Sequence, residues 1–333
     1  MTDPLALHRS LLTLDTHIDI PWPDGPAFTA ETTRRVDLPK MRRGHLAAGC
    51  FAAYIPQGRR TQDGHQAACE RALAMLQAIN AMAGAGARLC RSAEEIERAH
   101  GDAVVAVVPA VENGYAVGTD PARLQRFAAL GARYLTLTHN GHNALADSAI
   151  PRADLGDAAE EHGGLSALGR QAIAELNRLG MLADVSHVSR QTMLDTAAAS
   201  RSPIVATHSC VRALCDHPRN LDDGQLDVLR DVGGVVQITA VPQFLRPSGK
   251  AEAVTPGDFA DHVDYAVRRI GIAHVGISSD FDGGGGFNGW RDAADSPAIT
   301  AELLRRGYGA DELAALWGGN FLRVLRRAER LAQ

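Results

Sequence analysis

The sequence predicts a (β/α)8 barrel, and three observations carry that prediction. Eight short apolar runs recur along 333 residues, most of them separated by helical stretches. This is the alternation of a parallel sheet covered by helices. Seven acid/base or metal-type side chains stand at the ends of these runs: His17 and Asp19 on the first, then Glu112, His139, His187, His208 and Asp280. A (β/α)8 barrel collects its functional residues at the carboxyl ends of its strands in this way. Finally, no Gly-x-Gly-x-x-Gly or Walker loop follows the first run, as a nucleotide-binding doubly wound sheet would require.

The runs lie near residues 11–16, 46–54, 103–111, 133–138, 181–186, 203–207, 234–239 and 274–279. Between the second and third, residues 65–83 are rich in Ala, Leu and Met without a breaker. Residues 164–179 continue amphipathically to Gly180, which reads as a carboxyl cap. Residues 257–270 follow Thr255-Pro256 and space Phe259, Val263, Ala266 and Ile270 on one face. Residues 310–331 carry Leu313, Leu316, Phe321, Val324 and Leu325 as a last helix. Gly283 to Gly286 read as a flexible loop, not a phosphate cradle. No linker or internal repeat divides the chain, so residues 1–333 are expected to form one catalytic domain.

Composition narrows the function classes. A net charge of −5 gives no basic field for nucleic acid. Five cysteines without a Cys-x-x-Cys pair indicate neither a disulfide framework nor a zinc ribbon. The amino terminus lacks the plan of a signal peptide, and no run approaches the roughly 18 apolar residues of a spanning helix. A cytoplasmic protein without a membrane anchor is expected.

The run ends carry the chemistry. Residues two apart on a strand face one side, so His17 and Asp19 can reach one cation; the alternative is a core histidine and a turn aspartate. Glu112 closes a strongly apolar run, where a carboxylate is costly unless paired or metal-bound. Its two oxygens could bridge two cations, or it could be a turn or capping carboxylate. His187 and His208 end consecutive runs and could hold a second cation with Glu112; singly, each could be a neutral buried imidazole. Asp280 could orient or deprotonate a metal-bound water, with Asp282 as the competing choice. His139 could donate to an oxyanion or pack behind the site. Arg219, in His217-Pro218-Arg219-Asn220, could clamp a substrate carboxylate or be a solvated arginine.

Together, Asp15-Thr16-His17-Ile18-Asp19, Val111-Glu112-Asn113-Gly114, Leu135-Thr136-Leu137-Thr138-His139-Asn140, Asp184-Val185-Ser186-His187, Thr207-His208-Ser209, His217-Pro218-Arg219-Asn220, Ser279-Asp280-Phe281-Asp282-Gly283 and Gly318-Gly319-Asn320-Phe321 resemble the membrane dipeptidase (renal dipeptidase) family, in order from about residue 11 to 325. The resemblance implies a (β/α)8-barrel, binuclear zinc dipeptidase with two Zn2+ ions per chain. One zinc would take His17 and Asp19, the other His187 and His208, with Glu112 between them. A hydroxide held by both ions would attack the peptide bond of an L-Xaa-D-Xaa or L-Xaa-L-Xaa dipeptide. Asp280 matches the catalytic carboxylate, and His139 and Arg219 match substrate-binding residues. Many members dimerise, so the resemblance allows a homodimer.

One departure stands out. After the seventh run the family often places an aromatic pair, whereas this chain reads Gln237-Ile238-Thr239-Ala240-Val241-Pro242. Ala240 and Val241 leave the dipeptide preference open. Two other readings are therefore carried: an amidohydrolase acting on a modified dipeptide, an N-acyl amino acid or a β-lactam, and a non-catalytic maturation or binding factor. Retention of all six of His17, Asp19, Glu112, His187, His208 and Asp280 argues against the last.

Overall fold

A computed structural model describes residues 3–84 and 86–332; Met1, Thr2, Ala85 and Gln333 of the expected domain lie outside it. Its strands are β1 Leu14–Asp19, β2 Ala48–Tyr54, β3 Ala87–Leu89, β4 Val105–Glu112, β5 Tyr134–Thr136, β6 Leu182–Asp184, β7 Val205–Ser209, β8 Val235–Ile238 and β9 Val275–Ile277. Eight of them run in the order β1-β2-β4-β5-β6-β7-β8-β9, each pair parallel. The barrel closes just beyond β9, where Asp19 N–H donates to Phe281 O at 2.9 Å and Asp280 N–H to His17 O at 3.1 Å. Closure therefore sets the end of β1 directly against Asp280.

The expected runs and the strands agree except at two places. The first strand is Leu14–Asp19, not 11–16, so His17 and Asp19 lie within it. β3 was not expected, because Ala87-Arg88-Leu89 is not an apolar run. It pairs with the first half of β4, Ala87 opposite Val105, on the side where β5 takes over at Val111.

The helices follow their sequence signals. Gln62–Asn80 begins at Thr61, whose side chain accepts from Gly64 N–H. Ala167–Leu179 ends at Gly180 with φ +66°, the left-handed carboxyl cap. Pro256–Ile270 starts on a capping box made by Thr255 and Asp258. The last stretch is interrupted: Ala310–Ala314 passes through a π-helical turn at Ala315–Gly319 into Asn320–Leu331. At that turn a Cβ on Gly318 would meet Leu12 O at 2.7 Å, so glycine is what allows this close approach.

Asn320–Leu331 lies across the amino-terminal end of the barrel. Its Phe321, Val324 and Leu325 join barrel residues Leu14, Leu182, Val205 and Val235 in one apolar cluster. A second cluster fills the space between strands and outer helices, with Ile18, Phe51, Leu76, Phe127 and Phe259 among its members. Apolar burial on this scale stabilises the barrel and leaves its opposite, carboxyl-terminal end free for polar groups. Among the described residues no helix is long and apolar enough to cross a membrane.

Candidate active site

At the carboxyl ends of the strands lies a cavity of about 400 Å3 whose lining includes Asp19, Glu112, His139, His187, His208, Arg219 and Asp280. Seven of the eight site residues expected from sequence thus meet in one place. The eighth, His17, lies fully buried beneath, its Nε2 3.8 Å from Asp19 Oδ1 and 3.6 Å from Glu112 Oε2.

Glu112 is the centre of the arrangement. Its Oε2 faces His17, while Oε1 lies 3.1 Å from His187 Nε2 and 3.5 Å from His208 Nε2. Two ligands of a tetrahedral zinc, each 2.0–2.2 Å from the ion, stand about 3.3–3.6 Å apart, so these spacings suit a shared cation on each side. Among the described residues, two groups of donor atoms lying within 4.8 Å of one another contain Glu112: one with His17 and His208, the other with His139 and His187. The sequence divides the same residues differently, pairing His187 with His208 and leaving His139 to the substrate.

His17, His187 and His208 are each held by the other ring nitrogen. His17 Nδ1–H donates to Tyr134 Oη at 2.9 Å, and that hydroxyl donates in turn to Thr16 O at 3.0 Å. His208 Nδ1–H donates to Thr207 Oγ1 at 3.0 Å, whose hydroxyl donates to Asp184 Oδ2 at 2.7 Å. His187 Nδ1–H donates to Asn140 Oδ1 at 3.2 Å. All three therefore turn Nε2 and its lone pair toward Glu112, as metal-binding imidazoles do. Asp184 is fixed by Thr136 Oγ1 at 2.6 Å and by the backbone N–H groups of Ser186 and Thr207.

Among the described residues, buried site atoms without a hydrogen-bond partner include Arg219 Nε and, 3.8 Å apart, His17 Nε2 and Asp19 Oδ1. Leaving such atoms unsatisfied is costly, and a cation between His17 Nε2 and Asp19 Oδ1 would satisfy both, so the donor set fits a metal. Protonation tendencies agree. Burial alone would lower His17, but Glu112, Asp19 and Asp280 outweigh it and raise its pKa to about 10. The carboxylates thus favour positive charge at Nε2, from a proton or a cation. Burial, then Glu112, pushes Asp19 well above the usual carboxylate range. Burial lowers His139, His187 and His208, the last to about 3, which keeps their imidazoles neutral for ligation or hydrogen bonding.

Asp280 and Asp282 separate clearly. Burial, with Glu112 adding to it against His17 and Arg219, raises the Asp280 carboxyl to about 7. Asp282 points away: its Oδ1 accepts from Arg35 N–H at 2.8 Å and its Oδ2 from Val36 N–H at 3.3 Å. Between the Asp19 and Asp280 carboxylates passes Gly283, where a Cβ would stand 2.6 Å from Asp19 Oδ2 and 2.3 Å from Asp280 Oδ1. The glycine run expected to be a flexible loop is instead tied back, with the N–H groups of Gly283, Gly284 and Gly285 all donating to Asp280 O.

Arg219 is buried, with Nη2 donating to His208 O at 3.4 Å and its guanidinium 5.2 Å from the centre of the Phe244 ring. Phe244 comes from the short helix Pro242–Leu245, and Asn220 Nδ2 holds that helix by donating to Phe244 O at 2.8 Å. Aromatic lining at Ala240-Val241 is absent as expected, but Phe244 supplies it three residues later, and Tyr54 lines the opposite side, 4.8 Å from the His139 ring. Neither was singled out from sequence, although Tyr54 closes the second apolar run.

The family model for membrane dipeptidase (peptidase family M19) matches residues 2–333. The chain belongs to the membrane dipeptidase family. Among curated members of this metallopeptidase family, Dipeptidase aclJ of Aspergillus oryzae is 33% identical over 90% of this chain and 71% of its own. Dipeptidase 3 of Rattus norvegicus is 33% identical over 99% of this chain and 67% of its own. Among solved dipeptidase structures, the probable dipeptidase PvdM of Pseudomonas aeruginosa superposes with a TM-score of 0.92 at 31% identity, covering 99% of this chain and 98% of that one. A metallopeptidase from Rhodobacter sphaeroides, liganded with a phosphinate mimic of L-Ala-D-Ala, superposes with a TM-score of 0.81 at 28% identity, covering 96% and 99%.

Proposed function

We propose that this chain, as one catalytic barrel, is a zinc dipeptidase that hydrolyses the peptide bond of dipeptides with a free carboxylate, including those whose second residue is D. The observation that carries this reading is the placement of Glu112 between His17 and His187/His208, beside the unsatisfied His17 Nε2 and Asp19 Oδ1. The dipeptide mimic bound by the Rhodobacter sphaeroides relative supports the substrate class.

His17 and Asp19 would hold one zinc, His187 and His208 the other, and Glu112 both. When bound, the two ions supply Lewis acidity to the scissile carbonyl and acidity to a water. Asp280 would accept a proton from the attacking water and pass it to the amine nitrogen as the C–N bond breaks. A carboxylate on the cavity wall can serve both halves of that transfer. His139 would hydrogen-bond the tetrahedral oxyanion. Arg219, kept in place by Phe244 and His208 O, would take the substrate carboxylate bidentately. Five buried free cysteines suit a reducing, cytoplasmic setting, and a homodimer is the assembly carried with this reading.

A panel of L-Xaa-L-Xaa and L-Xaa-D-Xaa dipeptides, N-acyl amino acids and a β-lactam tests the proposal on zinc-replete protein. Dipeptide hydrolysis is expected. Turnover confined to the N-acyl or lactam substrates would replace the substrate class while keeping the metal chemistry.

A further inference from the structure

A second concavity, of about 410 Å3, lies at the opposite end of the barrel. Its lining includes Pro203, just before β7, and Gly233, just before β8, so it opens at the amino-terminal ends of the strands. Val232 adds an apolar side chain, and the rest of the wall is basic: Arg323, Arg326, Arg327 and Arg330 all come from Asn320–Leu331. At spacings of three, four and seven residues these arginines share one face of the helix, a stripe about 10 Å long at 1.5 Å per residue.

Half of this stripe is fixed. Arg323 donates to Gly233 O at 2.9 Å and Ala273 O at 2.7 Å, and Arg326 pairs with Glu97. The other half is free: Arg327 and Arg330 are exposed and, among the described residues, have no hydrogen bond or ion pair. Elsewhere on the surface arginines such as Arg43, Arg88, Arg269 and Arg305 are matched by carboxylates. Arg327 and Arg330 thus set two uncompensated charges beside the fixed pair, in a chain of net charge −5. Guanidinium forks favour planar or tetrahedral oxyanions, which they bind bidentately.

We propose that this groove binds a small oligoanion, a molecule with two or more phosphoryl or carboxylate groups, held between the fixed and the free arginines. It is remote from the metal-type residues and independent of the reaction assigned to them.

Titration calorimetry on the zinc-loaded protein at low salt tests this with benzene-1,3-disulfonate, a dianion with little affinity for zinc. One site per chain is expected. The R327A/R330A variant should bind at least tenfold more weakly, with an unchanged melting profile and unchanged dipeptide turnover. R327K/R330K, which keeps the charge but loses the forks, should recover only part of the affinity. Pyrophosphate and glutarate then distinguish phosphoryl from carboxylate ligands. Because pyrophosphate also sequesters zinc, only its difference between wild type and R327A/R330A counts. No binding of disulfonate, pyrophosphate or glutarate at millimolar concentration, or equal binding by wild type and R327A/R330A, would overturn the proposal.

Discussion

Glu112 Oε1 lies 3.1 Å from His187 Nε2, while the other oxygen of the same carboxylate faces His17 Nε2 at 3.6 Å. One side chain therefore touches residues from opposite sides of the barrel. β1 carries His17, and His187 lies just past β6. Burial would push this carboxyl up, but the surrounding imidazoles, His17 first, hold it well below its usual range. It is thus held as an ionised acceptor, which suits a bridge.

Tyr134 tests how the imidazoles are oriented. Tyr134→Phe removes the acceptor of His17 Nδ1–H and leaves that buried donor unpaired. Zinc affinity should fall about 10- to 100-fold, the usual cost of losing such a partner. Competition against a zinc chelator measures it; unchanged affinity would mean that His17 needs no fixed tautomer.

Proton transfer and ligation are separable by counting metal and turnover together. Asp280→Asn should keep its zinc and lose about 10²- to 10⁴-fold in kcat. Asp282→Asn should retain kcat and lower stability, since Asp282 only anchors the 34–36 segment. His139→Asn should lose rate but keep zinc if His139 serves the oxyanion. Loss of an ion would make it a ligand beside His187, as its place in the second donor group allows.

Arg219 and Phe244 set the carboxylate end of the site. Arg219→Met should raise KM for a dipeptide about 10- to 100-fold, the worth of a charge-assisted pair, while barely affecting the corresponding dipeptide amide. Phe244→Ala should raise KM more than it lowers kcat, because the ring only braces Arg219 and walls the cavity. Equal losses on acid and amide would contradict the clamp.

Stability should depend on acid pH through His8, away from the site. Its Nε2–H donates to Gly44 O at 2.9 Å, and its Nδ1, 2.6 Å from Thr300 Oγ1, accepts from that hydroxyl when the imidazole is neutral. Burial, against the Gly44 bond, lowers its pKa to about 4 from 6.5. The unfolded chain therefore binds more protons between those values. The contribution is complete above about pH 6.5 and is lost as pH falls toward about 4, by up to about 3 kcal/mol. His8→Asn should flatten that slope in urea melts at pH 4 to 7.

The acid/base residues were legible in sequence because each ends or interrupts an apolar run, where a polar side chain is costly unless used. Their supports were not. Tyr134 and Thr207 lie within buried strands, and a strand buried on both faces, as β4 is throughout, shows no alternation that separates inward from outward. Which hydroxyl meets which imidazole depends on packing across the barrel interior. Gly283 looked like slack, because a glycine run does not reveal that two carboxylates flank it. Phe244 is not legible as lining because the chain turns into a helix after Ala240-Val241 before supplying an aromatic ring.

The most direct test of the account is the zinc content of the purified, metal-replete and extensively dialysed protein, measured beside Glu112→Gln. Close to two zinc ions per chain are predicted for the wild type, and one or fewer for the variant, with dipeptide turnover falling in step. Less than one ion per chain in the wild type, or two retained by Glu112→Gln, would contradict it.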